Sequence, residues 1–313
     1  MSVKLVFLGT SAGLPTIKRG LSCIALKYCG DLLIFDCGEG AQRSMIMAGL
    51  GFPQNFKIFI THMHGDHVLG ILGLIQTLSL MDRSFDVHIY GPAGIADFVN
   101  YNKKILNFHL SYKLYLHEIS SGIILDDKNY IIRAVESEHV KPSYAYSFEE
   151  KLKPGKFYPE KALALGVPRG PLWKKLQEGA PVHNIFGNLV FPEQVMDPPR
   201  AGLKIVYSGD TRPCENVLNL SKGADILIYD STFDDSLVDK AFLDMHSTAS
   251  EAAEIAAKAN VKLLVLTHIS ARYDSSHEIL LKQAKEKFNN VIVAEDFLEI
   301  SISKDMISSK RLI

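Results

Sequence analysis

Short apolar runs alternate with amphipathic stretches along most of the chain, a pattern typical of α/β folds. The apolar runs predict strands at Lys4–Leu8, Ser22–Lys27, Leu32–Phe35, Lys57–Ile60, Val87–Tyr90, Tyr130–Val135, Lys204–Tyr207, Ile226–Tyr229 and Leu263–Leu266, with a last buried strand at Val291–Ala294. The amphipathic or alanine-rich stretches predict helices at Glu39–Ala48, His67–Leu80, Ile95–Leu106, Ser247–Ala259 and His277–Lys287.

The two halves of the chain resemble each other weakly. LIFDCGEG followed by FITHMHGDH in the first half parallels LIYDSTF followed by LVLTHIS in the second. Each half therefore has a strand that ends in Asp and a later strand that ends in Thr-His. This repeat predicts two sheets packed face to face with helices outside, meeting where the histidine-bearing strand ends converge.

The segment 147–182 interrupts this pattern with Lys-Pro-Gly, Tyr-Pro, Gly-Val-Pro and Arg-Gly-Pro-Leu-Trp, which are turn and loop signals. From its position alone, this segment could be an ordinary surface loop. The chain carries a net charge of −1, yet residues 141–180 hold eight Lys or Arg against four acids, about +4, which leaves about −5 elsewhere. This local charge and the aromatic residues Phe148, Phe157, Tyr158 and Trp173 favour an inserted partner-binding arm within a single domain of residues 1–313.

Composition excludes several other classes of protein. The 313 residues are 47% hydrophobic and 22% charged, which is ordinary for a globular protein with a sizeable core. No apolar run is long enough to span a membrane, and the apolar part of MSVKLVFLGT is too short for a signal peptide. The four cysteines form no Cys-x-x-Cys pair and no disulfide framework, so we interpret them as buried thiols of a cytoplasmic protein.

The motif Thr61-His62-Met63-His64-Gly65-Asp66-His67, directly after an apolar strand, carries the strongest chemical signal. Imidazole nitrogens and carboxylate oxygens are zinc ligands, and alternate residues of an extended segment point to the same side. His62 and His64 therefore suit one ion, and Asp66 and His67 a second ion after the turn at Gly65. The alternatives are a solvated histidine loop or a single patch that scavenges nickel or zinc, but the Asp-His appended after a buried strand disfavours both.

Further ligands are expected where other predicted strands end, at His139, Asp210 and His268. Each residue taken singly is more typical of a structural role. Together they lie where a sheet would bring ligands to one edge. Asp36 also ends a strand and is interpreted as a carboxylate that orients a ligand. Zinc and manganese both suit such a donor set.

At these residues the chain resembles the metallo-β-lactamase superfamily, whose His-x-His-x-Asp-His motif precedes later His, Asp and His ligands. The resemblance implies a four-layer αββα sandwich with two zinc ions at the sheet edges and a protruding basic arm, the exosite. By position, it places one zinc on His62, His64 and His139, the other on Asp66, His67 and His268, and Asp210 between them.

Other motifs resemble the short-form tRNase Z family. They are Leu8-Gly9-Thr10-Ser11-Ala12-Gly13-Leu14-Pro15, Ser208-Gly209-Asp210-Thr211-Arg212-Pro213, His246-Ser247-Thr248, His268-Ile269-Ser270-Ala271-Arg272-Tyr273, and in the arm Gly155-Lys156-Phe157 and Gly166-Val167-Pro168-Arg169-Gly170-Pro171-Leu172. The resemblance implies a homodimeric endoribonuclease that cuts 3′ trailers from precursor tRNA. One departure concerns the pattern Pro-x-Lys-x-Arg-Asn, in which Ile17 and Gly20 replace Lys and Asn. That departure affects the expected cleavage position and the response to precursors that already carry CCA.

The expected mechanism is metal-assisted hydrolysis of a phosphodiester, in which two metal ions lower the pKa of a water between them. Asp66 is the candidate base and His246 the candidate acid; the alternative for His246 is a capping or surface histidine before the helix Ser247–Ala259. Arg272 could bind phosphate or form a structural salt bridge, and Lys156, Arg169, Lys174 and Lys175 of the arm are candidate RNA contacts. Two alternative functions are a small-ester hydrolase, such as a phosphodiesterase, arylsulfatase or thioesterase, and a non-catalytic RNA-binding or scaffold protein.

Overall fold

The computed structural model describes residues 3–303 and 306–313. Its strands are β1 (Val3–Gly9), β2 (Ser11–Ala12), β3 (Cys23–Tyr28), β4 (Asp31–Phe35), β5 (Phe56–Phe59), β6 (Val87–Gly91), β7 (Leu114–Glu118), β8 (Gly122–Asp126), β9 (Tyr130–Glu136), β10 (Tyr144–Glu150), β11 (Val182–His183), β12 (Leu189–Val190), β13 (Lys204–Tyr207), β14 (Ile226–Asp230), β15 (Leu263–Thr267), β16 (Ile269–Ser270), β17 (Val291–Val293), β18 (Leu298–Ser303) and β19 (Met306–Arg311). Its α-helices are α1 (Ala41–Met47), α2 (Gly65–Val68), α3 (Gly70–Leu80), α4 (Ile95–Ile105), α5 (Pro159–Ala164), α6 (Pro171–Gln177), α7 (Glu215–Ser221), α8 (Val238–Asp244), α9 (Ala249–Lys258) and α10 (Glu278–Lys287).

Two large mixed sheets form the framework of the first of two structural units, which holds the chain up to Asp126, Ile132–Phe148 and the part from Lys204 onward. One sheet has the order β19-β18-β1-β3-β4-β5-β6-β7, and the other has the order β17-β15-β14-β13-β10-β9-β8. β4 to β7 pair in parallel, as do β13, β14, β15 and β17. Parallel strands are buried on both faces, which explains their continuous apolar sequences.

Three apolar layers separate four layers of structure. One cluster packs α1, α3 and α4 on the first sheet, and another packs α7, α9 and α10 on the second. Between the sheets lie aromatic side chains: the Phe59 ring is 5.7 Å from the Tyr146 ring, and the Phe35 ring is 6.3 Å from the Tyr207 ring. The predicted αββα sandwich is therefore confirmed.

Most predicted elements appear within two residues of their expected ends, but two expectations were wrong and several strands were not predicted. Val291–Ala294 is not the last strand, because β18 and β19 follow it and extend the first sheet beyond β1. The helix predicted over His67–Leu80 is divided at Leu69 into α2 and α3. The strands β7, β8 and β10 were not predicted; β7 and β8 are partly exposed and lie at sheet edges.

The second unit comprises Asp127–Ile131 and Glu149–Leu203, so it extends past the predicted arm bounds of 147–182. It has its own small core, into which β11 and β12 contribute Val182 and Val190. This core explains why the segment continues beyond residue 182. Phe157 and Trp173 pack against the same core, and the Trp173 indole donates to the carbonyl of Val167 (3.0 Å). These two aromatic residues are therefore structural.

The cysteines differ from the expectation in one respect. Cys23 and Cys37 are buried, whereas Cys29 is exposed and Cys214 is half-buried; none of them forms a disulfide. In the described part of the chain, every helix is too short or too polar to cross a lipid bilayer.

Candidate metal centre

The carboxyl ends of parallel strands bring most of the predicted ligands together, as parallel sheets generally do for ligand sites, and His139 joins them from the segment after β9. His62 and His64 follow β5, and Asp66 and His67 lie in the short helix α2. Asp210 follows β13 after a turn at Gly209, whose φ of 59° is left-handed and whose added Cβ would lie 2.8 Å from Thr61 Cγ2. Glycine is therefore the residue that fits there.

The seven predicted ligands gather in two adjoining groups. The ligand atoms of His62, His64, His139 and Asp210 lie within 4.8 Å of one another, and so do those of Asp66, His67 and His268. Asp210 lies between the groups. Its Oδ2 is 3.7 Å from Nε2 of His62, 3.3 Å from Nε2 of His67 and 3.3 Å from Nε2 of His268.

Several ligand atoms are buried without a hydrogen-bond partner among the residues that the structure describes. They are Nε2 of His62, Nε2 of His67 and Oδ1 of Asp210. Leaving one such polar atom unsatisfied costs about 1–3 kcal/mol, so native proteins seldom do so without a reason. Imidazole nitrogen and carboxylate oxygen are the donors that zinc and similar divalent ions bind. The donor set fits divalent metal binding.

A carboxylate and a hydroxyl orient the ligands of the first sheet. Asp36 accepts a hydrogen bond from Nδ1 of His67 (2.7 Å), as the sequence interpretation of Asp36 requires. Thr61 Oγ1 lies 3.0 Å from Asp36 Oδ1 and 3.0 Å from Nδ1 of His62. When this hydroxyl donates to Asp36, it must accept from Nδ1 of His62, and in the neutral imidazoles of His62 and His67 the Nε2 atom then carries no proton.

The second sheet repeats the same arrangement. The Thr232 hydroxyl donates to Asp230 Oδ1 (2.7 Å) and lies 2.9 Å from Nδ1 of His268, from which it can accept. His139 is oriented differently, because its Nδ1 donates to the backbone carbonyl of Met245 (2.9 Å). In their neutral forms these two histidines, like His62 and His67, can each present the lone pair of Nε2 toward the centre.

His246 lies beside the ligands, with its ring 4.9 Å from that of His139 and 5.1 Å from that of His268. Its Nδ1 lies 2.8 Å from Asp230 Oδ2. Burial alone would lower the pKa of His246, but the Asp230 carboxylate outweighs burial and raises that pKa to about 9. At neutral pH His246 is thus protonated and able to donate.

Asp66 is half-buried at the edge of the centre. Its Oδ2 accepts from the backbone N–H of Gly13 (2.9 Å) and lies 3.4 Å from Nε2 of His268. Burial raises the pKa of Asp66, but the neighbouring His268 and His67 lower it far below the ordinary range of a carboxyl group. Asp66 is therefore ionised and can act as ligand or proton acceptor.

The sequence reasoning missed several contributors: the hydroxyls of Thr61 and Thr232, the carboxylate of Asp230 and the carbonyl of Met245. Asp230 ends β14 as Asp36 follows β4, so the internal repeat contained the signal that could have identified it. The carbonyl of Met245 has no side-chain signature, since any residue could supply it.

The candidate RNA contacts fall into two places. Arg272 is exposed in the first unit, where its guanidinium centre lies 5.2 Å from the Phe233 ring and its Nε donates to Ser270 Oγ (3.1 Å). The other four are exposed in the second unit: Lys156, Arg169, Lys174 and Lys175.

Comparison with known proteins gives consistent matches. A family model described as "Anti-Pycsar protein Apyc1" matches residues 3–151, and one described as "Beta-lactamase superfamily domain" matches residues 195–269. Ribonuclease Z of Methanosarcina acetivorans is 48% identical over 300 residues, which cover 96% of this chain and 98% of that protein. Ribonuclease Z of Nitrosopumilus maritimus is 47% identical over 300 residues, covering 96% of this chain and 100% of that protein.

Two crystal structures extend the comparison. That of human tRNase Z, short form, has a TM-score of 0.68 at 28% identity and covers 96% of this chain and 100% of that chain. That of the metallo-β-lactamase fold protein YhfI from Bacillus subtilis has a TM-score of 0.67, covering 96% of this chain and 99% of that chain; at 19% identity it shows the fold alone.

Proposed function

Since this chain belongs to the ribonuclease Z family, we propose that it removes the 3′ trailer from tRNA precursors by hydrolysing one phosphodiester bond. The observation that carries the proposal is the gathering of seven His and Asp ligands, with unpartnered lone pairs, beside the protonated His246. The products are a 3′-hydroxyl on the tRNA and a 5′-phosphate on the trailer.

Two zinc ions are the metals we propose for the centre. His62, His64 and His139 would hold one, Asp66, His67 and His268 the other, and Asp210 would contact both. Bound there, they would lower the pKa of a water and stabilise negative charge on the phosphoryl oxygens.

The chain's own residues supply the proton transfers. Asp66 is ionised at the edge of the centre and is the candidate acceptor of the proton from the attacking water. His246 is the candidate donor to the leaving 3′-oxygen, because the Asp230 carboxylate keeps it protonated at neutral pH. A general acid or base of this kind typically contributes a rate factor of about 10²–10⁴.

Binding of the tRNA body is assigned to the second unit. Lys156, Arg169, Lys174 and Lys175, called here the arm cations, are all exposed. Exposed Lys and Arg neutralise RNA phosphates and release counterions, so they favour RNA binding that weakens with salt. Arg272, in the first unit, is assigned to a phosphate beside the metal centre. We place the enzyme in the cytoplasm, where its cysteines would stay reduced.

Incubation of purified protein with a 3′-extended precursor tRNA tests the function directly. Cleavage at the 3′ end of the tRNA, abolished by a chelator and restored by zinc, is the expected result. Absence of cleavage with zinc bound would contradict the proposal.

Neutralising the arm cations separates this function from that of a small-ester hydrolase. We expect precursor cleavage to fall steeply while hydrolysis of bis(p-nitrophenyl) phosphate persists. The matched control neutralises four exposed lysines of the first unit: Lys222, Lys258, Lys282 and Lys285. Equal precursor cleavage by both variants would favour the small-ester activity.

We also propose a homodimer that pairs through α1 and the start of α3. Ile46 and Met47 on α1 and Leu69 before α3 are exposed apolar side chains, and these two helices are in contact with each other. Burying them across a two-fold axis removes apolar area from water. Ile46→Glu is expected to yield monomers in light scattering, whereas Ile279→Glu on α10 is the control. An unchanged mass for Ile46→Glu would place the interface elsewhere.

A further inference from the structure

The short helix α8 presents apolar side chains to solvent close to the metal centre. Phe242 is 56% exposed and Leu243 is 77% exposed. The guanidinium centre of Arg212 lies 3.9 Å from the centre of the Phe242 ring, the shortest of the cation–aromatic distances among the described residues. Arg212, Phe242 and Leu243 are called here the α8 platform.

Backbone hydrogen bonds attach this platform to the candidate ligands at both ends. Arg212 comes two residues after Asp210, and its N–H donates to the carbonyl of Glu138 (2.9 Å), the neighbour of His139. Met245 follows α8, and its carbonyl accepts from Nδ1 of His139 (2.9 Å). The platform is therefore a fixed part of the rim of the centre.

The C-terminal end of α8 also leads into the candidate acid. The backbone N–H of His246 donates to the carbonyl of Ala241 (2.9 Å), one residue before Phe242. Lys240 and Arg272 both lie over the buried Phe233 ring, at 5.7 Å and 5.2 Å. The Phe233 ring is 6.2 Å from the His246 ring, so two cations lie near His246; Lys240 also pairs with Asp244 (2.7 Å), whereas the exposed Arg272 can face a polyanion.

An exposed ring with a guanidinium stacked on it is a surface on which unpaired nucleobases bind. Bases stack on aromatic rings and on the guanidinium plane of Arg, and this contact tolerates any base because each has a π-face. The Nε of Arg212 is buried and has no hydrogen-bond partner within the described residues, so a donor of this group is still unsatisfied. A protein partner would have to cover both this cation and the apolar side chains.

We propose that the α8 platform stacks the unpaired base of a nucleotide next to the scissile phosphate. This inference rests on the proposed function, because it takes the RNA as the ligand. The base belongs either to the last nucleotide of the tRNA or to the first nucleotide of the trailer. Stacking there holds the phosphate between the metal centre and His246.

The test compares Phe242→Ala with the wild type on three precursor tRNAs: intact, abasic at the last tRNA nucleotide, and abasic at the first trailer nucleotide. Loss of one stacked base corresponds to about a 5-fold to 150-fold decrease in kcat/KM. We expect Phe242→Ala to lose that factor on the intact RNA, and the wild type to lose it on one of the abasic RNAs. On that same abasic RNA the two enzymes should be equally active.

Two controls accompany the test. Phe242→Tyr keeps the ring and should retain most of the activity. Phe85→Ala removes a ring that is 46% exposed and lies just before β6, at the end of the strands opposite the metal centre. The Phe85→Ala protein should cleave all three RNAs like the wild type.

Several results would contradict the proposal that the α8 platform stacks a base. One is full activity of Phe242→Ala on the intact RNA, and another is an equal loss on all three RNAs. A third is an equal loss on bis(p-nitrophenyl) phosphate, which has no base and would indicate a distorted metal centre. A changed molecular mass of Phe242→Ala would instead assign the patch to contact between copies of the chain. If the wild type leaves the intact RNA uncut, the proposed function itself fails, and the platform with it.

Discussion

Replacing Asp36 with Asn tests how the metal-binding side chains are oriented. The Asp36 carboxylate is fully buried, and each of its two oxygens accepts two hydrogen bonds. Oδ1 accepts from the backbone N–H of Thr61 (2.8 Å) and from its hydroxyl (3.0 Å). Oδ2 accepts from Nδ1 of His67 (2.7 Å) and from the Tyr207 hydroxyl (2.8 Å). Whichever way the Asn amide turns, its NH₂ group faces two donors.

The expected losses of stability and of metal affinity in Asp36→Asn follow from these contacts. Each hydrogen bond to a charged group contributes about 1.5–3 kcal/mol, so the Asp36→Asn protein should unfold more easily. Loss of the group that orients a metal-binding histidine typically costs about 10-fold to 100-fold in metal affinity. We therefore expect the zinc dissociation constant of Asp36→Asn, measured by competition with a chelator, to rise by that factor.

Asp31 provides a matched control on the same strand. It lies at the other end of β4, is also buried, and pairs with Lys57 (3.1 Å) and Asn55 (2.9 Å). Asp31→Asn should lower the free energy of unfolding without changing zinc affinity. An unchanged zinc affinity in Asp36→Asn, or an equal loss in both variants, would refute the assigned role of Asp36.

Three further predictions concern the reaction. Asp66→Ala should lower kcat on precursor tRNA and on bis(p-nitrophenyl) phosphate by about 10²–10⁴, with metal content checked by atomic emission; retained turnover would exclude Asp66 as the base. Because the acid form of His246 is lost as pH rises through its pKa of about 9, kcat on precursor tRNA should fall above that pH, and Asp230→Asn should move this fall to lower pH. A pH profile that is the same in both proteins would contradict this assignment. Neutralising the arm cations should reduce the slope of log(kcat/KM) against log salt by about 0.9 for each RNA phosphate that the protein no longer neutralises, and an unchanged slope would remove them from the RNA interface.

The sequence identified the buried framework because parallel strands covered on both faces are continuous apolar runs. β13 was predicted to the residue, and β14 and β15 to within one residue. Edge strands give a weaker signal, since half of each is solvated: β8 and β19 contain many exposed side chains and were missed. The end of the second unit also escaped prediction, because its core pairs residues that are distant in sequence.

The sequence identified the part of the candidate site in which potential ligands are close together in the chain. It did not identify contributions from backbone atoms. Four potential ligands within six residues identify a metal motif directly, and the structure gathers His139, Asp210 and His268 around it. The grouping of these distant residues depends on sheet topology, which the internal repeat only suggested. A carbonyl such as that of Met245 cannot be distinguished from any other until the fold is known.

Three residues at the metal centre have strained backbone conformations, which indicates that their positions are not optimised for stability. Asp36, Met245 and His268 all have left-handed φ angles, of 56°, 61° and 57°, and each either orients a candidate ligand or is one. Such conformations cost a non-glycine residue about 1–3 kcal/mol and persist only where surrounding contacts enforce them. Here the flanking hydrogen bonds do so: Asp36 N–H donates to Phe59 (2.9 Å), and Ile269 N–H, directly after His268, donates to Thr10 (2.8 Å). Asp36 directly follows β4 and His268 directly follows β15, so in each sheet the left-handed residue turns the chain at a strand end. In the sequence repeat Asp36 corresponds to Asp230 and His268 corresponds to His62, so each half has its left-handed residue at a different position of the repeat.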